Sequence, residues 1–229
     1  MLLTNLVNDF TGLFYPQICA SCSEALVRNE HLLCTTCRVE LPRTNYHTDP
    51  ENEVAQSFWG RVPIEHASAH FYFQKGGRIQ EILHKLKYKG QQDVGIELGK
   101  IIGRDIETSP FKQVDIIIPV PLHKSKKRKR GYNQSECIAI GLAEAMGKPL
   151  DTKTLQRMIA NPTQTKKHRF DRWTNVEDIF ALTNPKNIAH KHILLVDDVV
   201  TTGATLEACA STLLQAENVK VSIIAVAKA

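Results

Sequence analysis

The chain has 229 residues, of which 42% are hydrophobic and 23% charged, with a net charge of +5. This composition excludes a disordered polyelectrolyte and a membrane-embedded bundle, and the length suits one sizeable core with a small appendage. The basic excess is concentrated in two short segments, which brings a polyanionic partner into view.

At the amino terminus, Leu2, Leu3, Leu6, Val7, Phe10, Leu13 and Phe14 recur at helical spacing, interrupted by Asn5, Asn8 and Asp9. The pattern predicts a short amphipathic helix, not a signal peptide or a membrane span. No window holds a run of about 18 apolar residues, so a cytoplasmic protein is expected, reaching the inner face of the membrane only through partners. Next come Cys19-x2-Cys22 and Cys34-x2-Cys37, with eleven residues between the two pairs. Each two-residue spacer permits a turn that points both sulfurs to one side, so the four thiolates suit one tetrahedral Zn2+. Such a closed site is structural, because no coordination position remains for a substrate. His31 is a spare ligand. Cys137 and Cys209 fall in helical apolar patterns and read as buried core thiols. Residues 1–45 are therefore expected as a zinc-binding module, the polar stretch 46–65 as a linker, and 66–229 as the main domain.

Within that domain, 67–73 alternates as a strand. Residues 79–86 and 94–106 have helical spacing, and 115–120 is a continuous β-branched run. A helix is predicted over 134–146, a buried strand over 193–196, a helix over 205–216 and a last buried strand over 219–227. Strands alternating with helices argue for a parallel sheet with right-handed crossovers, an α/β fold.

The segment Ile193–Thr205, ILLVDDVVTTGAT, carries the most chemistry. A buried strand delivers Asp197 and Asp198 to the carboxyl end of the sheet, where open α/β folds bind ligands. Thr201, Thr202, Gly203, Ala204 and Thr205 then present backbone N–H groups and hydroxyls at a helix start, which is an anion cradle. Two carboxylates suit vicinal hydroxyls, so phosphate and diol recognition together describe a pentose phosphate. A P-loop ATPase would need G-x4-G-K-[ST], and Gly95–Ile101 has the wrong spacing and no hydroxyl. The acid pair of a phospho-receiver domain would open its domain, whereas here only about thirty residues follow. The bland alternative is a pair of turn carboxylates capping a helix.

These residues resemble the PRPP-binding signature of the type I phosphoribosyltransferases. The resemblance implies that Asp197 and Asp198 bind the ribose hydroxyls of phosphoribosyl pyrophosphate (PRPP) and that 201–205 bind its 5-phosphate. The likeness extends to Ile117–Gln134, IIPVPLHKSKKRKRGYNQ, to Leu86–Gly90, and to Gln164-Thr165 with Arg172 and Asn175-Val176. With the double cysteine knuckle, this resembles the competence protein ComF/GntX group, also called amidophosphoribosyltransferase-like. Membership implies a type I phosphoribosyltransferase-like parallel sheet flanked by helices, a four-Cys zinc module, Mg2+ accompanying PRPP, and a role in natural competence and DNA uptake.

Two basic segments complete the reading. His123–Arg130 has six cations in eight residues and is expected as a loop, with Arg128 and Arg130 receiving pyrophosphate. The other, Thr163–Asn175, interleaves Lys166, Lys167, Arg169 and Arg172 with Phe170 and Trp173, as an active-site lid or a stacking surface for single-stranded DNA. Two functions stay open: a phosphoribosyltransferase acting on an unidentified nitrogen nucleophile, and a catalytically inactive module of the same fold that binds nucleotide or single-stranded DNA alongside other competence proteins.

Overall fold

The computed structural model describes residues 16–159 and 179–229. The amphipathic helix expected at the amino terminus and the Thr163–Asn175 segment lie outside the described residues. The main sheet has four strands: β1 (Ala67–Tyr72), β2 (Ile116–Pro119), β5 (His192–Val200) and β6 (Lys220–Lys228). Their order is β1-β6-β5-β2 and every pairing is parallel. Two further strands, β3 (Leu155–Arg157) and β4 (Phe180–Leu182), form a small antiparallel pair.

The central strands are apolar on both faces because both faces are covered. Ile117, Leu194, Val196 and Ile224 face a layer built from α3 (Arg78–Tyr88), α4 (Gln92–Asp105) and α6 (Gln134–Met146). Cys19, Leu33, Cys37 and Leu41 join that same core, with α1 (Thr35–Val39) beside them. Ile116, Ile118, Ile193, Leu195 and Ile223 face the other way, toward α2 (Glu53–Gln56), α7 (Ala204–Leu213) and the β3–β4 pair. Helices α4 and α6 approach very closely. A Cβ added to Gly99 would lie 2.1 Å from the Ile138 carbonyl oxygen, and one added to Gly141 would lie 1.9 Å from that of Ile96.

The stretch expected as a linker, 46–65, packs against the sheet. Just before it, the Thr44 N–H donates to the His70 carbonyl at 3.0 Å, and Pro42 accepts from Tyr72 at 2.9 Å, covering the outer edge of β1. Asn52 caps α2 through its side-chain oxygen, and its Nδ2 donates to the Ala67 carbonyl at 2.8 Å. Phe58 is fully buried. Polar composition suggested a loop, but much of the polarity is spent on hydrogen bonds to the backbone.

Two more expectations are corrected. Strand β5 was expected to stop at Val196. It runs on to Val200, because β6 continues beside it and pairs Asp197 with Ala225 and Val200 with Lys228. The acidic pair therefore sits in a hydrogen-bonded ladder. The run Lys124–Arg130, expected as a loop, is a short helix, α5. Lys and Arg are good helix formers, and the cations of the last turn favour the negative end of the helix dipole. His123 caps it through Nδ1, and Gly131 ends it at φ 88°.

Candidate functional site

The carboxyl ends of parallel strands β2 and β5 carry the residues singled out above. Asp197 and Asp198 follow one another on β5, so their side chains point to opposite sides of the strand. The Ser135 hydroxyl donates to Asp197 Oδ1 at 2.9 Å, as does the Asp198 backbone N–H at 2.9 Å. Asp198 Oδ2 is 2.8 Å from Lys87 Nζ and accepts a longer bond from Gln134 Nε2 at 3.4 Å. Ser135 and Gln134 open α6, whose N-cap Asn133 accepts from the Ser135 N–H and donates to the Val120 carbonyl. Burial, then the Asp198 charge, raises the Asp197 pKa to about 7. Asp197 is thus about half protonated at neutral pH and can both donate to and accept from hydroxyl groups.

Residues 201–205 curl directly after β5. Gly203 has φ 76° and caps α7. A Cβ there would meet the Phe58 ring at 3.0 and 3.1 Å, so both backbone conformation and space demand glycine. The loop surrounds a small cavity of about 50 Å3 that Asp197 also lines. Among the described residues, the N–H groups of Thr202, Gly203 and Thr205 donate to no protein acceptor. Unpaired donors at a helix start, with a carboxylate beside them, suit a phosphate ester of a polyol.

The basic run is divided by α5. Arg130 lines a cavity of about 400 Å3 with Lys126, Lys129, Lys87, Tyr88 and Tyr132. Its guanidinium lies 5.7 Å from the Tyr88 ring centroid. Lys87 belongs to this cavity and to the Asp198 ion pair, so it joins the cationic region to the acidic pair. Arg128 is exposed and does not line the cavity. Lys124 and Lys127 instead border a separate cavity of about 220 Å3 between the end of β2 and β3. Sequence reasoning attached no role to Lys87. It lies inside the Leu86–Gly90 stretch, but nothing in a lone lysine signals a carboxylate more than a hundred residues away in the chain.

The four cysteines come together as expected. Their sulfurs all lie within 4.8 Å of one another, and Cys22 Sγ is 3.8 Å from Cys34 Sγ. A tetrahedral site with metal–sulfur bonds of about 2.3 Å has sulfur–sulfur edges of about 3.8 Å. Backbone N–H groups of Ser21 and Cys34 donate to Cys19 Sγ at 3.4 and 3.3 Å, and that of Cys37 donates to Cys34 Sγ at 3.4 Å. Burial pushes the Cys19 thiol up, but backbone donors from Cys34, Cys22 and Ser21 outweigh it and bring the thiol to about 6. Arg78 Nη1 donates to Cys37 Sγ at 3.0 Å, and the guanidinium also pairs with Glu40. The cluster can hold a metal ion, and His31 is not part of it. Cys137 and Cys209 are buried away from it, as expected.

The chain is 28% identical over 204 residues to DNA utilization protein YhgH of Escherichia coli (strain K12), covering 86% of this chain and 84% of that protein. The Salmonella typhimurium protein of the same name is 30% identical over 138 residues, a match spanning 58% of this chain and 60% of that protein's length. Competence protein F of Haemophilus influenzae is 27% identical over 203 residues, covering 84% of this chain and 89% of that protein. Among solved structures, that of the allosteric regulatory enzyme of purine biosynthesis aligns at 20% identity and a TM-score of 0.42, covering 62% of this chain and 30% of that one. The chain is thus similar to the ComF-type competence and DNA utilization proteins. Residues 114–229, half of the chain and including β2, β5, the acidic pair and the loop after it, match the model of the phosphoribosyl transferase domain. The chain belongs to the phosphoribosyl transferase domain family.

Proposed function

We propose that this protein binds PRPP and transfers its ribose 5-phosphate to a nitrogen nucleophile. The observation that carries the reading is the junction of Asp197 with unpaired N–H groups around one small cavity, with Asp198 next to it on the same strand. Asp197 and Asp198 would hold the ribose hydroxyls, and Thr201, Thr202, Gly203, Ala204 and Thr205 the 5-phosphate. Arg130, with Lys87, Lys126 and Lys129, would receive the pyrophosphate. Arg128, exposed and not lining that cavity, is the weaker of the two arginines expected there. The C1–oxygen bond to pyrophosphate breaks as the bond to nitrogen forms, and the nucleophile loses a proton. Mg2+ arriving on PRPP would neutralise phosphate charge, and the carboxylate oxygens of the pair are hard donors suited to it. The four-Cys cluster would hold a structural Zn2+.

Titration calorimetry with PRPP, with and without Mg2+, followed by a pyrophosphate-release assay, tests this reading. Binding with release supports it, binding without release favours the inactive module, and no binding overturns it.

We further propose a place in natural competence and DNA uptake, as the names of the relatives suggest, and in the cytoplasm. The exposed Tyr88 beside Arg130, Lys126 and Lys129 supports contact with single-stranded DNA through base stacking and backbone charge. Affinity for single-stranded DNA should fall steeply with salt, and a flat salt dependence would remove this partner.

A further inference from the structure

Arg61 lies outside the segment that matches the family model and in the stretch that composition marked as a linker. Its Nη1 donates to the Thr202 carbonyl at 3.1 Å and to the Ser57 carbonyl at 2.8 Å, and its Nη2 pairs with Glu207 on α7. Three residues earlier, the Phe58 ring fills the space under Gly203. The loop is therefore gripped from one side by a single segment, 57–61, and the small cavity opens on the side that Arg61 does not line.

We infer that Arg61 is a positioning residue that orients the Thr202–Gly203 peptide for anion binding. In a planar trans peptide the carbonyl and the following N–H point in opposite directions. Drawing the Thr202 carbonyl toward Arg61 turns the Gly203 N–H away from it, toward the cavity. The left-handed conformation of Gly203 keeps the next turn open for α7 to start. Without the guanidinium, this peptide can rotate, because nothing else in the described residues accepts the Gly203 N–H. The cradle then loses a donor although no residue that would touch the phosphate has changed. Glu207 fixes the other arm of the guanidinium to α7, so the grip moves with the helix whose start completes the cradle.

The inference rests on the phosphate-loop reading, and ribose 5-phosphate separates the two. The wild type, Arg61→Ala and Arg61→Gln are compared by calorimetry with ribose 5-phosphate. The Gly203 amide is followed by 15N–1H correlation spectra of the ligand-free proteins. Arg61→Ala should weaken binding about tenfold, as expected for a lost charge-assisted bond, and should shift the Gly203 amide. Arg61→Gln keeps an N–H donor without the charge and should recover most of the affinity. Equal loss in both variants would mean that Arg61 acts by charge alone, and the inference fails. An unmoved Gly203 amide in Arg61→Ala overturns it whatever the ligand does. Absence of ribose 5-phosphate binding by the wild type would instead overturn the phosphate-loop reading, and this inference with it.

Discussion

The four-Cys cluster and the acidic pair both crowd like groups together, and they handle the crowding in opposite ways. Around the cysteines, backbone N–H groups and Arg78 point at the sulfurs, and Cys19 and Cys37 are buried within the core formed with α3 and α4. Every donor faces inward, and four sulfurs leave no position for a substrate. Around Asp197 and Asp198, the partners include side chains from α3 and α6, and Asp197 borders a small cavity. The Asp197 carboxyl answers the crowding by holding a proton near neutral pH. One cluster is arranged to close around an ion; the other is left adjustable, as the proposed ligand site requires.

The largest effect should come from breaking the closed cluster. Stripping the metal with a chelator, or Cys37→Ser, should unfold the amino-terminal module, since structural zinc in small modules contributes about 10–16 kcal/mol of apparent binding energy. Thermal melting with parallel metal analysis checks this, and a metal-free protein with an unchanged melt would show that the cluster is dispensable. Breaking the open cluster should cost ligand and not fold. Asp197→Ala with Asp198→Ala should weaken PRPP binding at least tenfold, at about 1.5–3 kcal/mol per charge-assisted bond. Melting should stay near wild type, and the comparison fails if the double variant unfolds first.

The next effect is a pH dependence. The raised Asp197 pKa means that its contribution to ligand-free stability is complete below its ordinary value of 3.8 and is lost as pH rises through about 7. His47 and His192 act in the opposite direction. Burial lowers both, so the unfolded chain takes up their protons first and stability falls as pH drops below 6.5. Asp197→Asn should therefore remove the part of the fall in melting temperature that Asp197 causes between about pH 4 and 7, while leaving the opposing slope of the histidines in place. The smallest effect is Ser135→Ala. It removes one donor from Asp197 and should weaken ribose binding by about 1 kcal/mol, roughly fivefold.

What the sequence displayed follows from locality. The strands of the main sheet were legible because β-branched runs mark them, and the loop proposed to bind phosphate stood out because Asp197–Thr205 lie within a few residues of one another. The cysteine knuckles were legible for the same reason. Lys87 and Arg61 were not, because their partners Asp198 and Thr202 lie far along the chain and only the parallel sheet brings them together. The packing of the 46–65 stretch was not foreseen because Asn52 looks like a loop residue until its bond to β1 is seen. Strand β5 was cut short because carboxylates interrupt its apolar pattern, although its ladder to β6 does not need apolar side chains.

The seam between α4 and α6 acts as a spacer gauge for the site. Gly99 and Gly141 set the distance between the two helix backbones, and Ser135 and Gln134 stand at the start of the gauged helix, about 9 Å along its axis from Gly141. Any side chain wedged into the seam would lift α6 and withdraw both donors from the carboxylates. Damage to ligand binding can therefore arise where no ligand will ever be seen, and a screen for inactive variants should return this seam as readily as the acidic pair.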